Sequence, residues 1–172
     1  SYRTTPGWMD FSILASVSEV PAPFVADGIY YKPMSENTCK VTHTPWDDET
    51  PSYTGDIEIP AKVTYEGKEY TVTGIGEGAF YECSNITSVA LGDNVSFIED
   101  GAFCDCNSLT TITNTDAVTT IGRWSFSNSA LRTANFPALE SIGEYSFSGC
   151  RHLEVLELGE KLSHIGEKTF NA

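Results

Sequence analysis

Ile142-Gly-Glu-Tyr-Ser-Phe147-Ser-Gly-Cys150 is the stretch that decides the fold, because its pattern returns throughout the C-terminal half of the chain. The pattern is an isoleucine, usually a glycine, three variable positions, a phenylalanine and often a cysteine three residues later. Successive isoleucines are separated by 23, 23, 21 and 23 residues. They are Ile75, Ile98, Ile121, Ile142 and Ile165. This period is typical of a solenoid, in which each coil buries its apolar side only by stacking on neighbouring coils.

Each repeat also carries a strand pattern. Leu153, Leu156 and Leu158 have the spacing of a leucine-rich repeat strand, which points leucines into the coil and the intervening residues to solvent. We therefore predict a β-rich solenoid with right-handed coils. The phenylalanines are predicted to be core residues on short helical turns. They are Phe80, Phe103, Phe126 and Phe147.

Two further features of the repeats lead to local predictions. The glycine after the isoleucine suits a backbone turn that a Cβ atom would hinder, although the second repeat has Glu99 there. Where the pattern expects a leucine, the second repeat has Asn114. A polar side chain there needs a hydrogen-bond partner, so we expect a local distortion or a solvent-facing turn.

The chain before the repeats divides into two parts. Residues 1–26 contain Pro6-Gly7 and Pro21-Ala-Pro23 and are predicted to form an irregular arm. Residues 27–73 contain short runs rich in β-branched and aromatic residues, which predict strands. These runs are 28–32, 39–43, 56–59, and a hairpin of 62–65 and 69–73 around Glu66-Gly67.

The repeats are predicted to occupy residues 74–172, with four full repeats and a partial fifth from Ile165. A solenoid end requires a polar cap, and the two residues after Phe170 cannot supply one. Either the chain continues or this end meets another surface. The oligomeric state is left open.

The five cysteines cannot all pair within one chain. Three of them recur in phase with the phenylalanines, which favours small apolar packing groups stacked along the solenoid. They are Cys83, Cys106 and Cys150. Stacked coils would bring these thiols within about 5 Å of each other, so a disulfide remains an alternative. Cys104-Asp-Cys106 lacks the second pair that a zinc site needs.

Composition excludes several classes of function. The formal net charge of −14 repels phosphate backbones and anionic membranes, so no nucleic-acid partner is expected. No apolar run approaches the ~20 residues that cross a bilayer, so no membrane-spanning segment is predicted. Hydrophobic residues make up 40% of the chain, which is enough to build a core.

Two quoted motifs carry a resemblance to a known family. Thr73-Gly-Ile-Gly-Glu-Gly-Ala-Phe80 with Cys83, and its echo from Ile142 to Cys150, strongly resemble the BspA-like leucine-rich repeats of bacterial surface proteins. Residues 27–73 look like the β leader of such proteins, which implies a small β-strand N-terminal cap. The resemblance also implies an exported, cell-surface or lipid-anchored protein that adheres to host proteins or to neighbouring cells.

No enzyme activity, cofactor or metal site is predicted. The family has no shared catalytic residues, and the chain has no nucleophile elbow or phosphate-cradling glycine loop. The histidines lack cysteine or carboxylate partners at ligand spacing. Asp47-Asp48-Glu49 is interpreted as an exposed loop, with a calcium site as the alternative.

The leading functional hypothesis is a protein-binding or adhesion module that presents the outward strand positions to a macromolecule. Its alternatives are a spacer domain of a larger surface protein and a carbohydrate-binding accessory. Two tryptophans are candidate anchors, because aromatic residues dominate binding hot spots. For Trp124, packing beside Phe126 is an equal alternative. The candidate binding residues are Trp46, Trp124, Thr111, Thr113, Arg132, Asn135, Glu154 and Glu157.

Overall fold

The computed structural model describes residues 22–45 and 52–171 and contains two sheets. One sheet has nine strands and the other has five in this part of the chain. The strands before the repeats are β1 (Phe24–Ala26), β2 (Ile29–Pro33), β3 (Thr38–Val41), β4 (Gly55–Glu58) and β5 (Lys62–Tyr65). Strand β6 (Lys68–Ile75) leads into β7 (Ile86–Ala90), β8 (Phe97–Ile98), β9 (Thr111–Thr113) and β10 (Thr120–Ile121). The last four are β11 (Thr133–Phe136), β12 (Ser141–Ile142), β13 (Val155–Leu158) and β14 (His164–Ile165).

Each repeat forms one coil, as predicted, and contributes a strand to each sheet. The predicted leucine-rich strands are β7, β9, β11 and β13, and they pair in parallel. The repeated isoleucines form a second set of parallel strands, which the sequence analysis did not predict. Ile75 pairs with Ile98, and Ile121 pairs with Ile98 and Ile142. The core of the repeats therefore lies between two sets of parallel strands, one in each sheet.

A column of phenylalanine rings runs through this core, which confirms the prediction of a core role. Neighbouring ring centroids are 5.0 Å apart for Phe80 and Phe103, and 5.2 Å apart for Phe103 and Phe126. Phe147 continues the column at 5.2 Å and Phe170 at 5.9 Å. Phe80, Phe103 and Phe126 are fully buried, whereas Phe170 is 51% exposed.

The segments that carry the phenylalanines are successive turns without a continuous helix, so the predicted helical turns are not confirmed. The N–H groups of Ala79 and Cys83 donate to carbonyls three residues back, within the turn. The N–H of Phe80 donates instead to the carbonyl of Ala102 in the next coil, at 2.8 Å. Alternate N–H groups are thus used between coils, and a helical hydrogen-bond ladder cannot form. In the described part of the chain, no helix has the length and apolarity to cross a bilayer.

At Gly143 and Gly166, the glycine after the isoleucine is required by the close approach of the neighbouring coil. A Cβ atom at Gly143 would lie 2.6 Å from the backbone nitrogen of Arg123. At Gly166 it would lie 2.3 Å from the backbone nitrogen of Glu144. The hindrance expected from the sequence is therefore confirmed, and its cause is contact between coils.

The second repeat departs from the pattern as expected. Asn114 is exposed and has a left-handed φ of 60°, so it turns out of the coil. Its Nδ2 atom donates to the carbonyl of Leu91 at 2.5 Å and to Oδ1 of Asp93 at 2.8 Å. These bonds satisfy the polar side chain at a position that other repeats fill with an apolar residue.

The strands before the repeats pack against the first coil. Strands β1, β2 and β3 are antiparallel neighbours, and β3 pairs in parallel with β6. The predicted hairpin is present as β5 and β6, and both turn residues, Glu66 and Gly67, have positive φ. Strand β1 lies within the predicted irregular arm, so that prediction is wrong for residues 24–26. Asp27-Gly28 carries the same turn signal as Glu66-Gly67 and joins β1 to β2.

Two buried tyrosines in this region offer a matched stability test. The Tyr31 hydroxyl has no hydrogen-bond partner in the described structure, whereas the Tyr53 hydroxyl donates to Thr42 and accepts from the N–H of Tyr30. We expect Tyr31→Phe to leave stability unchanged or to raise it, because it removes an unpaired buried hydroxyl. Tyr53→Phe should lower the free energy of unfolding by about 1 kcal/mol. Urea unfolding of both variants checks this, and a loss for Tyr31→Phe equal to that for Tyr53→Phe would contradict it.

Candidate functional site

The strand face is the outward side of the five-stranded sheet, whose order is β13, β11, β9, β7, β4. All its neighbouring strands are parallel, so the register aligns outward side chains in rows across the coils. The first row is Asp56, Ser88, Thr111, Thr133 and Val155. The second row is Glu58, Ala90, Thr113, Asn135 and Glu157.

Charge is confined to the edges of the strand face. Asp56 and Glu58 lie on β4 and Glu157 on β13, while the three central strands carry uncharged side chains in both rows. Asp56 accepts hydrogen bonds from the hydroxyls of Ser88 and Thr87, both at 2.6 Å. These bonds, that of Ser88 first, lower the pKa of the Asp56 carboxyl. Asp56 therefore stays ionised beside a small hydroxyl-rich centre.

Six of the candidate binding residues lie together at this surface, and all six are exposed. Those on the strand face itself are Thr111, Thr113, Asn135 and Glu157. Arg132 and Glu154 come directly before β11 and β13, and Arg132 Nη1 lies 3.4 Å from Glu154 Oε1. Both of these side chains are more than half exposed, so their ion pair adds little stability.

Trp124 lies away from the strand face, on the turn between β10 and β11. Its indole stacks on the ring of Tyr145, with centroids 4.1 Å apart and planes 3° apart. The side chain is 40% exposed, whereas Phe126 is fully buried. Trp124 is thus the exposed member of an aromatic pair with the partly buried Tyr145, outside the buried phenylalanine column. Trp46 and the acidic stretch Asp47-Asp48-Glu49 lie outside the described residues.

A groove on the nine-stranded sheet was not identified from the sequence. It has a volume of about 680 Å³ and is open to solvent. Its lining includes Thr120, Gly122, Ser141 and Gly143, near the ion pair of Lys40 Nζ with Glu99 Oε2 at 2.6 Å. The signal in the sequence is the repeated Thr120-Ile-Gly122 and Ser141-Ile-Gly143 pattern, which places small residues in neighbouring coils.

The five cysteines are free thiols in the structure. Cys106 Sγ donates to the carbonyl of Phe80 at 3.1 Å, and Cys150 Sγ donates to that of Phe126 at 3.0 Å. Burial raises the pKa of Cys39 to about 12, and burial with nearby Asp105 raises that of Cys104 to about 12. Cys106 and Cys150 thus form weak hydrogen bonds between coils. Within the described ranges, no group of three or more histidine, cysteine, aspartate or glutamate side chains is arranged to hold a metal ion.

The repeats match a described family. The BspA type leucine rich repeat region matches residues 73–172, in six copies. A comparison with curated proteins gave no match.

Solved bacterial structures share the fold. A leucine-rich cell surface protein from Faecalibacterium prausnitzii A2-165 is 26% identical, with a TM-score of 0.64, and the match covers 90% of this chain and 47% of that one. A leucine-rich repeat protein from Bacteroides ovatus is 26% identical, with a TM-score of 0.64, over 86% of this chain and 44% of that one. A leucine-rich repeat protein from Bacteroides capillosus is 28% identical, with a TM-score of 0.60, and the match covers 80% of this chain and 99% of that one.

The chain thus spans less than half the length of the first two of these proteins. The repeat pattern, the parallel strands β7 to β14 and the buried phenylalanine column all lie in the part that the family description covers. Since that match covers more than half of the chain, the protein belongs to the BspA-type leucine-rich repeat family.

Proposed function

We propose that the chain is a non-enzymatic, surface-exposed module that binds a protein partner through the strand face. Membership of a leucine-rich repeat family supports a binding role, because such repeats form rigid extended surfaces. A structural neighbour described as a cell surface protein supports an extracellular or cell-surface location. The partner is a protein of the host or of a neighbouring cell.

The uncharged centre of the strand face is the observation that carries this proposal. Across β7, β9 and β11 the two outward rows contain only serine, alanine, threonine and asparagine, in a chain with a net charge of −14. Protein interfaces have the same anatomy, since their centres are depleted of charge and their rims are polar. Acidic side chains at both edges form such a rim here.

The size of the strand face predicts modest affinity. Five strands at ~4.8 Å spacing span about 19 Å from β4 to β13. That width holds less than the ~800 Å² that each partner buries in a standard interface. We therefore expect a dissociation constant in the micromolar range, of order −8 kcal/mol, unless further coils extend the surface.

Replacing Thr111 with lysine should weaken partner binding at least about tenfold, or about 1.4 kcal/mol. Thr111 is exposed on β9, the central strand of the five, and a charge there would be buried without a partner in the complex. The measurement is binding of the purified chain to a layer of extracellular-matrix proteins laid down by cultured epithelial cells. A protease-treated layer serves as the blank.

Thr120→Lys is the matched control. Thr120 is an exposed threonine in a strand, but it lies on β10 of the other sheet. Its replacement should change neither binding nor stability beyond experimental error. Equal binding by the Thr111→Lys variant, or no binding by the unmodified chain, would contradict the proposal and favour a spacer role.

We also propose that β1, β2 and β3 cap the first coil. The support is that β3 pairs with β6, the strand that opens the repeats. Without β3, this edge of β6 would have unpaired backbone groups. The buried side chains on β2 and β3 cover the apolar end of the solenoid. Terminal caps of this kind keep a solenoid soluble and unpolymerised.

A further inference from the structure

One turn position is left-handed in every coil. We call it the left-handed row. Its members are Gly78, Gly101, Trp124, Tyr145 and Lys168, with φ values of 58°, 63°, 58°, 57° and 53°. Hydrogen bonds between coils hold them side by side: the N–H of Gly101 donates to Arg123 at 2.8 Å, and that of Trp124 to Glu144 at 2.9 Å. The scaffold therefore imposes this backbone conformation on whatever residue occupies the row.

Trp124 and Tyr145 are unusual residues for this row. Glycine adopts a left-handed φ without strain and occupies the row in the first two coils. A large aromatic side chain at positive φ is a genuine outlier, and such strain is concentrated at functional sites. Two stacked aromatics in adjacent coils, of which Trp124 is exposed and Tyr145 is partly buried, are not needed for a core that the phenylalanines already fill.

The two rings form a column with one open end. Tyr145 stacks on Trp124, and Lys168 Nζ lies 5.4 Å from the Tyr145 ring centroid. The next coil on the other side of Trp124 has Gly101 in the row, where an added Cβ would meet nothing within 4 Å. One face of the indole therefore looks into the open space beside Gly101.

We propose that this open indole face binds the ring of a neutral hexopyranose sugar. A pyranose presents a face of C–H bonds with partial positive charge, which stacks on the negative face of an aromatic ring. The column fixes the indole before binding, so little side-chain freedom is lost on association. The site is separate from the strand face and goes beyond the protein-binding function proposed above.

Polar groups beside the indole suit sugar hydroxyls. Asp100 Oδ1 accepts the backbone N–H of Arg123, the residue before Trp124, at 2.7 Å. Among the described residues, the other carboxylate oxygen of Asp100 accepts no hydrogen bond and is open to a hydroxyl donor. Glu77 is exposed one coil before Asp100. Arg123 Nη2 forms an ion pair with Glu144 Oε2 at 2.7 Å. This acidic rim repels sialylated and sulfated sugars and selects a neutral ring.

The shape of the site favours a flat ligand over a compact cation. Quaternary ammonium groups are recognised by aromatic cages, in which several rings surround the charge. Here a single indole face, that of Trp124, borders the open space beside Gly101. A sugar ring matches that shape, and its edge reaches the rim carboxylates.

Trp124→Gly tests the proposal, because it restores the residue of the first two coils. The variant should bind neutral glucose, galactose and mannose oligosaccharides at least about tenfold more weakly than the unmodified chain in titration calorimetry. Its urea midpoint should change little, because the relief of left-handed backbone strain offsets the lost stacking on Tyr145. Trp124→Phe keeps an aromatic face and should retain part of the binding.

Lys168→Gly is the matched control, because it relieves the same backbone strain at the closed end of the column. It should alter sugar binding less than about twofold, and Thr111→Lys should leave it intact. Absence of binding by the unmodified chain at sugar concentrations up to about 10 mM, tenfold above a weak Kd, would overturn the proposal. So would equal binding by Trp124→Gly, or Trp124-dependent binding of choline without binding of any sugar.

Discussion

Replacing Phe126 with alanine is expected to lower the free energy of unfolding by about 3–5 kcal/mol. The ring is fully buried in the middle of the phenylalanine column. It lies 5.2 Å from both Phe103 and Phe147 and 6.1 Å from Phe136. Alanine would remove these contacts and leave a cavity that two rigid neighbouring coils cannot close. Urea unfolding followed by circular dichroism measures the loss.

Phe170→Ala is the control for this prediction. Phe170 occupies the same repeat position, but it is 51% exposed and has one neighbouring ring in the described column, Phe147. Its replacement should cost about 1 kcal/mol, because only half of the side chain leaves water on folding. A similar loss of unfolding free energy in both variants would contradict the prediction, because the loss would then not depend on the burial of the ring.

Val41→Asp is expected to detach the proposed cap and unfold the first coil. Val41 is fully buried on β3, where it pairs with Tyr31 of β2 and Ile75 of β6. An unpaired carboxylate there would cost several kcal/mol, more than the strand pairings of β3 return. Because solenoid coils interact only with their neighbours, the damage should fade along the chain.

Hydrogen exchange measures this gradient. Amides of β6 and β8 should lose protection, while those of β12 keep most of it. Val25→Asp is the matched control, since Val25 lies on β1 and is 48% exposed; it should change stability by no more than about 0.5 kcal/mol. Full protection of β6 in the Val41→Asp variant would show that β1 to β3 do not cap the repeats.

The sequence alone determined the solenoid, its coil length and its buried column. Every buried position of a solenoid recurs at the period of the coil, so the isoleucines and phenylalanines mark the core without any knowledge of contacts. The same logic placed Thr111 and Asn135 at the surface and identified Asn114 as a break in the pattern. The hairpin at Glu66-Gly67 was also predictable, because its turn requires positive φ.

Only the tertiary structure showed the second sheet and the turns. Strands such as Thr120–Ile121 are too short to show a period of two along the chain, and they exist because neighbouring coils supply their hydrogen bonds. The turns that carry the phenylalanines form no continuous helix for the same reason, since alternate backbone N–H groups donate to the next coil.

The repeated motif therefore fixes what each coil buries, because burial is decided within one period. It does not fix what meets between coils at the surface. Trp124 and Tyr145 are 21 residues apart and stack only because two coils place the same turn position side by side. Their left-handed backbone is likewise imposed by the stack of coils, since neither residue type prefers it. The scaffold could be derived from the sequence, whereas the candidate sugar site required the structure.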